Sequence, residues 1–202
     1  MAGLFEPATG VPGGAAVALD EVEISILRSL AVQLLELVGP GPGAEPAEGE
    51  ERDPLAELMA DGPTEPPSDP ALARLFPDAY GGPGVERDEE TAAAAAEFRR
   101  YTENELRARK REDGLAVVRA LDSLTPAGDG GAVLTLAPEQ ARQWLGTLND
   151  LRLAIGARLE LATDEDGDEL YALPDGDPRK PMAMAYLWLG ALQESLVQTL
   201  MF

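Results

Sequence analysis

Cysteine and histidine are both absent from this 202-residue chain. Without cysteine there is no disulfide, no thiolate nucleophile, no zinc–sulfur site and no thiol redox switch. Without histidine the commonest general base, the commonest metal ligand and the usual pH switch are missing as well. Lysine occurs only at Lys110 and Lys180, and aromatics make up 5% of the chain. An enzyme built from this inventory would have to work with carboxylates, tyrosine or lysine. No cofactor or metal motif is present either. A long clean apolar run is also lacking. The nearest approach, MAMAYLWLGALQESLVQTLMF at 182–202, is interrupted by Gln193, Glu194, Ser195 and Gln198, and a glutamate near mid-span is costly in lipid. That segment is expected to be a core helix rather than a membrane span. The opening MAGLFEPATG lacks the basic segment and apolar core of a secretory signal, so a cytoplasmic protein is expected.

Acid is what the chain has in excess. Its formal net charge is −21, and the charge is unevenly placed. Residues 1–70 hold fourteen acids against two arginines, and residues 160–177 hold eight acids and no base. The remainder is nearly neutral, with fifteen acids and fourteen bases.

The apolar pattern predicts a mainly α protein, a single helical bundle over residues 1–202 with a small two-stranded antiparallel β ribbon. Alternation at Ala15, Val17 and Leu19 suggests a strand, and the helix after it begins with a capping box, Asp20 and Glu23. Leu27, Leu30, Leu34 and Val38 follow at helical spacing until Gly39. Residues 39–53, rich in Pro, Gly and Glu, read as a flexible acidic linker. Two short helical turns, at 53–59 and 69–76, each open on Asp-Pro, and the stretch 61–85 reads as loosely structured. Residues 86–124 form the longest helical candidate, with a kink expected at Gly114 and closure at 125–131. A second strand at 132–136 then leads into a helix over 138–161 that should bury Trp144, Leu148, Leu151, Ile155 and Leu159. The two strands, 14–19 and 132–136, are expected to pair. The acidic segment TDEDGDE (163–169) fails the spacing of a calcium loop, because the sixth and twelfth positions are not the required glycine and glutamate. A solvated turn is expected there.

Within the long helix, EFRRYTENELRARKRED places six cations in thirteen positions. On a helical wheel Arg99, Arg100, Arg107, Lys110 and Arg111 share one face, opposite Phe98, Tyr101, Ala108 and Leu115. Apolar residues normally turn inward, so the basic face is expected to point outward as a contact surface for an acidic protein partner, for the chain's own acidic linker, or for solvent alone. Direct DNA binding is disfavoured, because a chain at −21 repels phosphate and no helix-turn-helix is evident. Glu105 and Glu112 lie on the apolar side. Arg109 stands at its edge, and Arg152 and Arg158 on the following helix are within reach. These five are expected to form buried structural ion pairs rather than a catalytic carboxylate pair.

At FRRYTENELRARKRED, QARQWLGTLNDLRLAIGARLEL and DPRKPMAMAYLWLGALQESLVQTLM the chain resembles an actinobacterial family first catalogued as a domain of unknown function. The family is now labelled the AosR-type oxidative-stress regulators. The resemblance runs from about residue 15 to 202, apart from the linker. It implies a non-enzymatic, cytoplasmic regulator of transcription under oxidative stress, acting through transcription machinery or a sigma factor. The alternative is an adaptor linked to Clp-type proteolysis, since family members are often encoded beside a Clp-protease adaptor. A homodimer is left open. A thiol-based sensor needs cysteine, so any oxidant sensing here must be borrowed from a partner, be missing, or act through Met59, Met182, Met184 or Met201.

Overall fold

The computed structural model describes residues 3–40, 61–81, 88–125 and 131–201. Residues 41–53 of the expected linker at 39–53, the helical turn at 53–59 and residues 126–130 of the expected closure at 125–131 lie outside the described residues.

The fold is mainly α, as the periodicity predicts. Strand β1 (Glu6–Pro7) and strand β2 (Ala15–Asp20) lead into helix α1 (Glu21–Val38). The short helix α2 (Pro70–Leu75) and the long helix α3 (Glu89–Asp122) follow. Strand β3 (Gly131–Leu136) then enters helix α4 (Pro138–Arg158), and the short helix α5 (Asp164–Glu169) and the terminal helix α6 (Lys180–Met201) complete the chain. Helix α3 packs on α1 and α4, and α4 packs in turn on α2 and α6.

The pairing of the two expected strands is observed. β2 and β3 run antiparallel, with Ala15 opposite Leu136 and Leu19 opposite Ala132. The ribbon nevertheless has three strands rather than two, because β1 adds to the other edge of β2. β1 is two residues long and contains a proline, so it carries no alternation that a sequence pattern could register. Proline suits an edge strand, where a missing N–H leaves no ladder bond unmade. Just before β1, the Phe5 N–H donates to Ser195 Oγ at 3.1 Å, and Thr199 Oγ1 donates to the Phe5 carbonyl at 3.2 Å. The Phe5 ring meets Trp144 edge-on at 6.1 Å. The sheet is thereby fastened to α4 and α6.

Local chemistry at the helix starts follows the sequence. Asp20 accepts from the Glu23 N–H at 2.8 Å while Glu23 accepts from the Asp20 N–H at 2.9 Å, completing the capping box of α1. Asp69 caps α2, and Asp88 caps α3. Within the expected turn at 163–169, Asp164–Glu169 form the short helix α5, and Asp166 accepts from the N–H groups of Ala162 and Thr163 just before it. The five residues expected in the core of α4 are all buried there, and Leu189, Leu192 and Leu196 of α6 are fully enclosed.

At Gly114, where a kink is expected, α3 continues without a break in the helix. The glycine instead lets α1 approach. A Cβ at Gly114 would stand 3.0 Å from Leu35 Cδ2, tighter than ordinary contact, so the absent side chain sets the distance between α1 and α3.

One helix start is incompletely capped. At α4 the Ala137 N–H donates to Gln140 Oε1 at 2.9 Å, but Ala137 offers no side-chain oxygen in return. Ala137→Ser should supply that acceptor and stabilise the fold by about 0.5–1 kcal/mol, read as an increase in the urea midpoint. An unchanged midpoint would mean the helix start is already satisfied.

Candidate functional site

The basic helix does not face outward. Arg99 is 4% exposed, whereas Phe98 is 46% and Tyr101 64% exposed. The wheel grouped the cations on one face, and they are on one face, but that face is turned into the protein. Arg99, Arg107, Lys110 and Arg111 all reach groups on other elements.

The inward face follows a stripe of Ala95, Arg99, Glu103, Arg107, Lys110, Gly114, Val117 and Leu121, spaced three or four apart. Its C-terminal part is apolar and buried, which fixes the rotational setting of the whole helix. The charged residues upstream therefore occupy core positions of the same stripe. They are tolerated because each meets a partner.

Glu103, 3% exposed, is the centre of the network. It accepts from Arg99 Nη1, and its second oxygen accepts from Arg107 Nε at 2.8 Å. Arg99 also donates to the Phe76 carbonyl at 3.0 Å and to Asp78 Oδ1 at 2.8 Å. Burial works against the charge on Arg99, but hydrogen bonds to Asp78 and Glu103 outweigh it and hold its pKa above the ordinary value. Arg107 stacks over the Phe76 ring at 4.2 Å and donates to the Val38 carbonyl at 2.8 Å. Arg111 donates to the Gly39 carbonyl at 3.3 Å. Val38 is the last residue of α1, whose final turn carries no basic residue of its own. Arg107 and Arg111 bring cations to its negative end from a neighbouring helix, as Arg99 does at Phe76, the C-cap of α2.

A second inward contact joins α3 to α4. Lys110 Nζ meets Asp150 Oδ1 at 2.6 Å, with both side chains largely enclosed. Burial pushes the Asp150 carboxyl above its usual pKa, and the hydrogen bond and charge of Lys110 offset this only in part. Nearby Asp113 is raised too, mainly by burial.

The remaining expected site residues separate. Arg100 lies at the edge of the face and pairs with Asp61 at 2.6 Å, both side chains well exposed. Glu105, Arg109 and Glu112 are exposed, so the expected buried ion pairing among them does not form. Their side of the helix is the outer one. Arg158 pairs with Asp69 near the surface at 2.7 Å. Arg152 is half-buried and has no carboxylate partner among the described residues; it donates to Gln193 Oε1 at 2.7 Å and lies over the Tyr186 ring at 5.0 Å.

With the cations turned in, the outer surface of α3 carries aromatics. Tyr80 and Phe98 meet edge-to-face at 5.9 Å, and the Arg100 guanidinium lies 5.4 Å from the Tyr101 ring centre. Leu106 continues the exposed apolar surface. Sequence reasoning missed this patch because it placed Phe98 and Tyr101 in the core. The signal that reveals it is the phase of Val117 and Leu121, which shows which side of the helix is inside. Among the described residues no group of three or more acids could hold a metal ion, and no helix is long and apolar enough to cross a membrane.

Comparison with known proteins gives one family. A family model described as a domain of unknown function (DUF2017) matches residues 5–200. The chain is 33% identical over 186 residues to the oxidative stress regulator AosR of Mycobacterium tuberculosis, covering 89% of this chain and 78% of the relative. The Mycobacterium bovis protein of the same name matches to the same extent. An AosR relative from Mycobacterium leprae is 34% identical over 184 residues, covering 89% and 79%. No solved structure matches the chain.

Two measurements test the inward network. Arg99→Met would leave Glu103 and Asp78 short of a buried partner and should cost about 3–5 kcal/mol, whereas Arg100→Met at the surface should cost less than about 1 kcal/mol. Equal urea midpoints for the two variants would contradict the inward setting. For Asp150 the folded pKa lies above the unfolded one. The unfolded chain therefore loses this proton first, and stability falls as pH rises from near 3.8 through the folded value. Asp150→Asn cannot titrate, so its stability relative to wild type should rise over that window and then level off. A relative fall would show that the Lys110 pair outweighs the burial.

Proposed function

We propose, from the premise that the chain belongs to the family described as a domain of unknown function (DUF2017), that it is a regulatory protein of the oxidative stress response. It works through protein contacts rather than catalysis. The named relatives support the regulatory role. The observation that carries the contact reading is the aromatic patch of Tyr80, Phe98 and Tyr101 on the outer face of α3. Exposed aromatics grouped at one place are the usual anchors of protein interfaces. Among the described residues, three of the four exposed aromatic side chains lie in this patch.

The partner in this reading is a component of the transcription machinery, RNA polymerase or a sigma factor. An acidic partner held by a basic helix face loses its ground, because Arg99, Arg107 and Lys110 are already paired inside the protein. The cations left beside the patch, Arg100 and Arg109, alternate with Glu97, Glu105 and Glu112. Contact there depends on apolar anchors with a mixed charged rim. Binding of duplex DNA by the isolated protein is opposed by the charge of −21.

The experiment is co-purification from native lysate of the source cells with wild type and with a Phe98→Ser, Tyr101→Ser double variant. RNA polymerase or a sigma factor should be captured by wild type, with at least about tenfold less captured by the variant. Both proteins should share a thermal midpoint, because neither ring is in the core. Recovery of Clp components instead would favour an adaptor for proteolysis. A tight duplex-DNA complex of the isolated protein at physiological salt would overturn the protein-contact reading.

A further inference from the structure

A chain in a family with relatives named for oxidative stress, yet lacking cysteine, needs another atom to react with an oxidant if it responds directly. The methionine thioether is the remaining candidate. Among the described residues the methionines are Met182, Met184 and Met201, which are 43%, 52% and 74% exposed. All three are open to attack. They differ in what surrounds them.

Met182 stands in the first turn of α6 and lines an apolar cleft of about 570 Å³ between α1, α4 and α6. The cleft wall is aliphatic, formed by Leu30, Leu34 and Leu37 of α1 and Leu151 and Ile155 of α4. Neither Met184 nor Met201 lines it. The polar side chains at the cleft are already engaged in part: Arg158 pairs with Asp69, and Gln33 donates to Ser29. The third, Glu36, is a carboxylate, which accepts hydrogen bonds and has none to donate.

We propose that Met182 is an oxidant-responsive modification site whose conversion to the sulfoxide loosens the seam between α6, α1 and α4. The oxidant is a hydroperoxide. The Sδ lone pair attacks the outer peroxide oxygen, the O–O bond breaks and the S–O bond forms. Sulfur is oxidised by two electrons, and the departing hydroxide or alkoxide takes the peroxide proton to leave as water or alcohol. The product replaces a soft apolar group with a polar, hydrogen-bond-accepting one. At Met184 or Met201 water satisfies the new oxygen. At Met182, which is 43% exposed and lines the aliphatic cleft, a sulfoxide oxygen turned inward meets leucine and isoleucine and brings water into the cleft or moves the first turn of α6 away. The same chemistry at three positions thus has a structural consequence at one.

The regulatory meaning of this site rests on the proposed function, but its chemistry does not, and the test involves no partner. The full-length protein is treated with hydrogen peroxide, sulfoxides are located by peptide mass spectrometry, and amide hydrogen exchange is measured over residues 30–37 and 151–158. Oxidised wild type should exchange about fivefold faster in both segments, and methionine sulfoxide reductases should reverse the change. Met182→Leu, which keeps the volume and the apolar wall, should abolish the response. A Met184→Leu, Met201→Leu double variant should keep it. Met182→Gln should exchange like the oxidised protein without peroxide. The proposal is overturned if Met182 stays reduced while Met184 and Met201 react. It is equally overturned if Met182 sulfoxide forms with no change in exchange, or if Met182→Leu responds like wild type.

Discussion

The described structure turns on one carboxylate. Glu103 is enclosed on α3 and holds Arg99 through one oxygen and Arg107 through the other. With its negative charge between them, two guanidinium groups can enter the interior and reach the carbonyls of Phe76 and Val38. Those carbonyls lie where α2 and α1 end; α2 has Arg74 in its own last turn, whereas α1 has no basic residue there. Remove the charge on Glu103 and the two arginines repel each other across a poorly hydrated space. The positions of α1 and α2 on α3 would then lose their common anchor.

This arrangement explains how an acidic chain uses its few bases. Most of the acid lies outside the α3 stripe, and described acids such as Glu21, Glu89 and Glu139 are exposed to water. Arg99, Arg107 and Lys110 meet carboxylates that are enclosed, Glu103 and Asp150. Arg28 with Asp122, Arg158 with Asp69 and Lys110 with Asp150 each link distant parts of the chain. The exposed pairs add little to stability; the enclosed ones decide which geometry is compatible with burial. A net charge of −21 discourages contact with nucleic acid.

Much of the architecture was legible because it rests on local rules. The capping box at Asp20 and Glu23, the aliphatic and tryptophan face of α4 and the pairing of β2 with β3 follow from spacing and from residues with few alternatives. The orientation of α3 was misread because two rules conflicted there. Phe98 and Tyr101 called for burial, and the arginines called for water, yet Val117 and Leu121 had already committed the opposite side of the same helix to the core. A rigid helix cannot satisfy both halves, and the more apolar half prevailed. The candidate contact surface was missed for the same reason. The glycine at 114 was read as a kink, and the pattern did not show its steric use: it sets how closely α1 can lie.

The fastening of the first strand has a consequence for how the protein is made. Phe5 N–H is bonded to the hydroxyl of Ser195, 190 positions away, and its ring rests on Trp144. Loop closure over such a span is costly in entropy and comes late in folding. During synthesis Phe5 must wait for Ser195 until α6 has left the ribosome, although β1 can already pair with β2. The Arg107 contact to Val38 needs only the chain up to α3, so the charged junction can assemble while the sheet still lacks its last support. The newborn protein thus sets its polar interior before closing its apolar one.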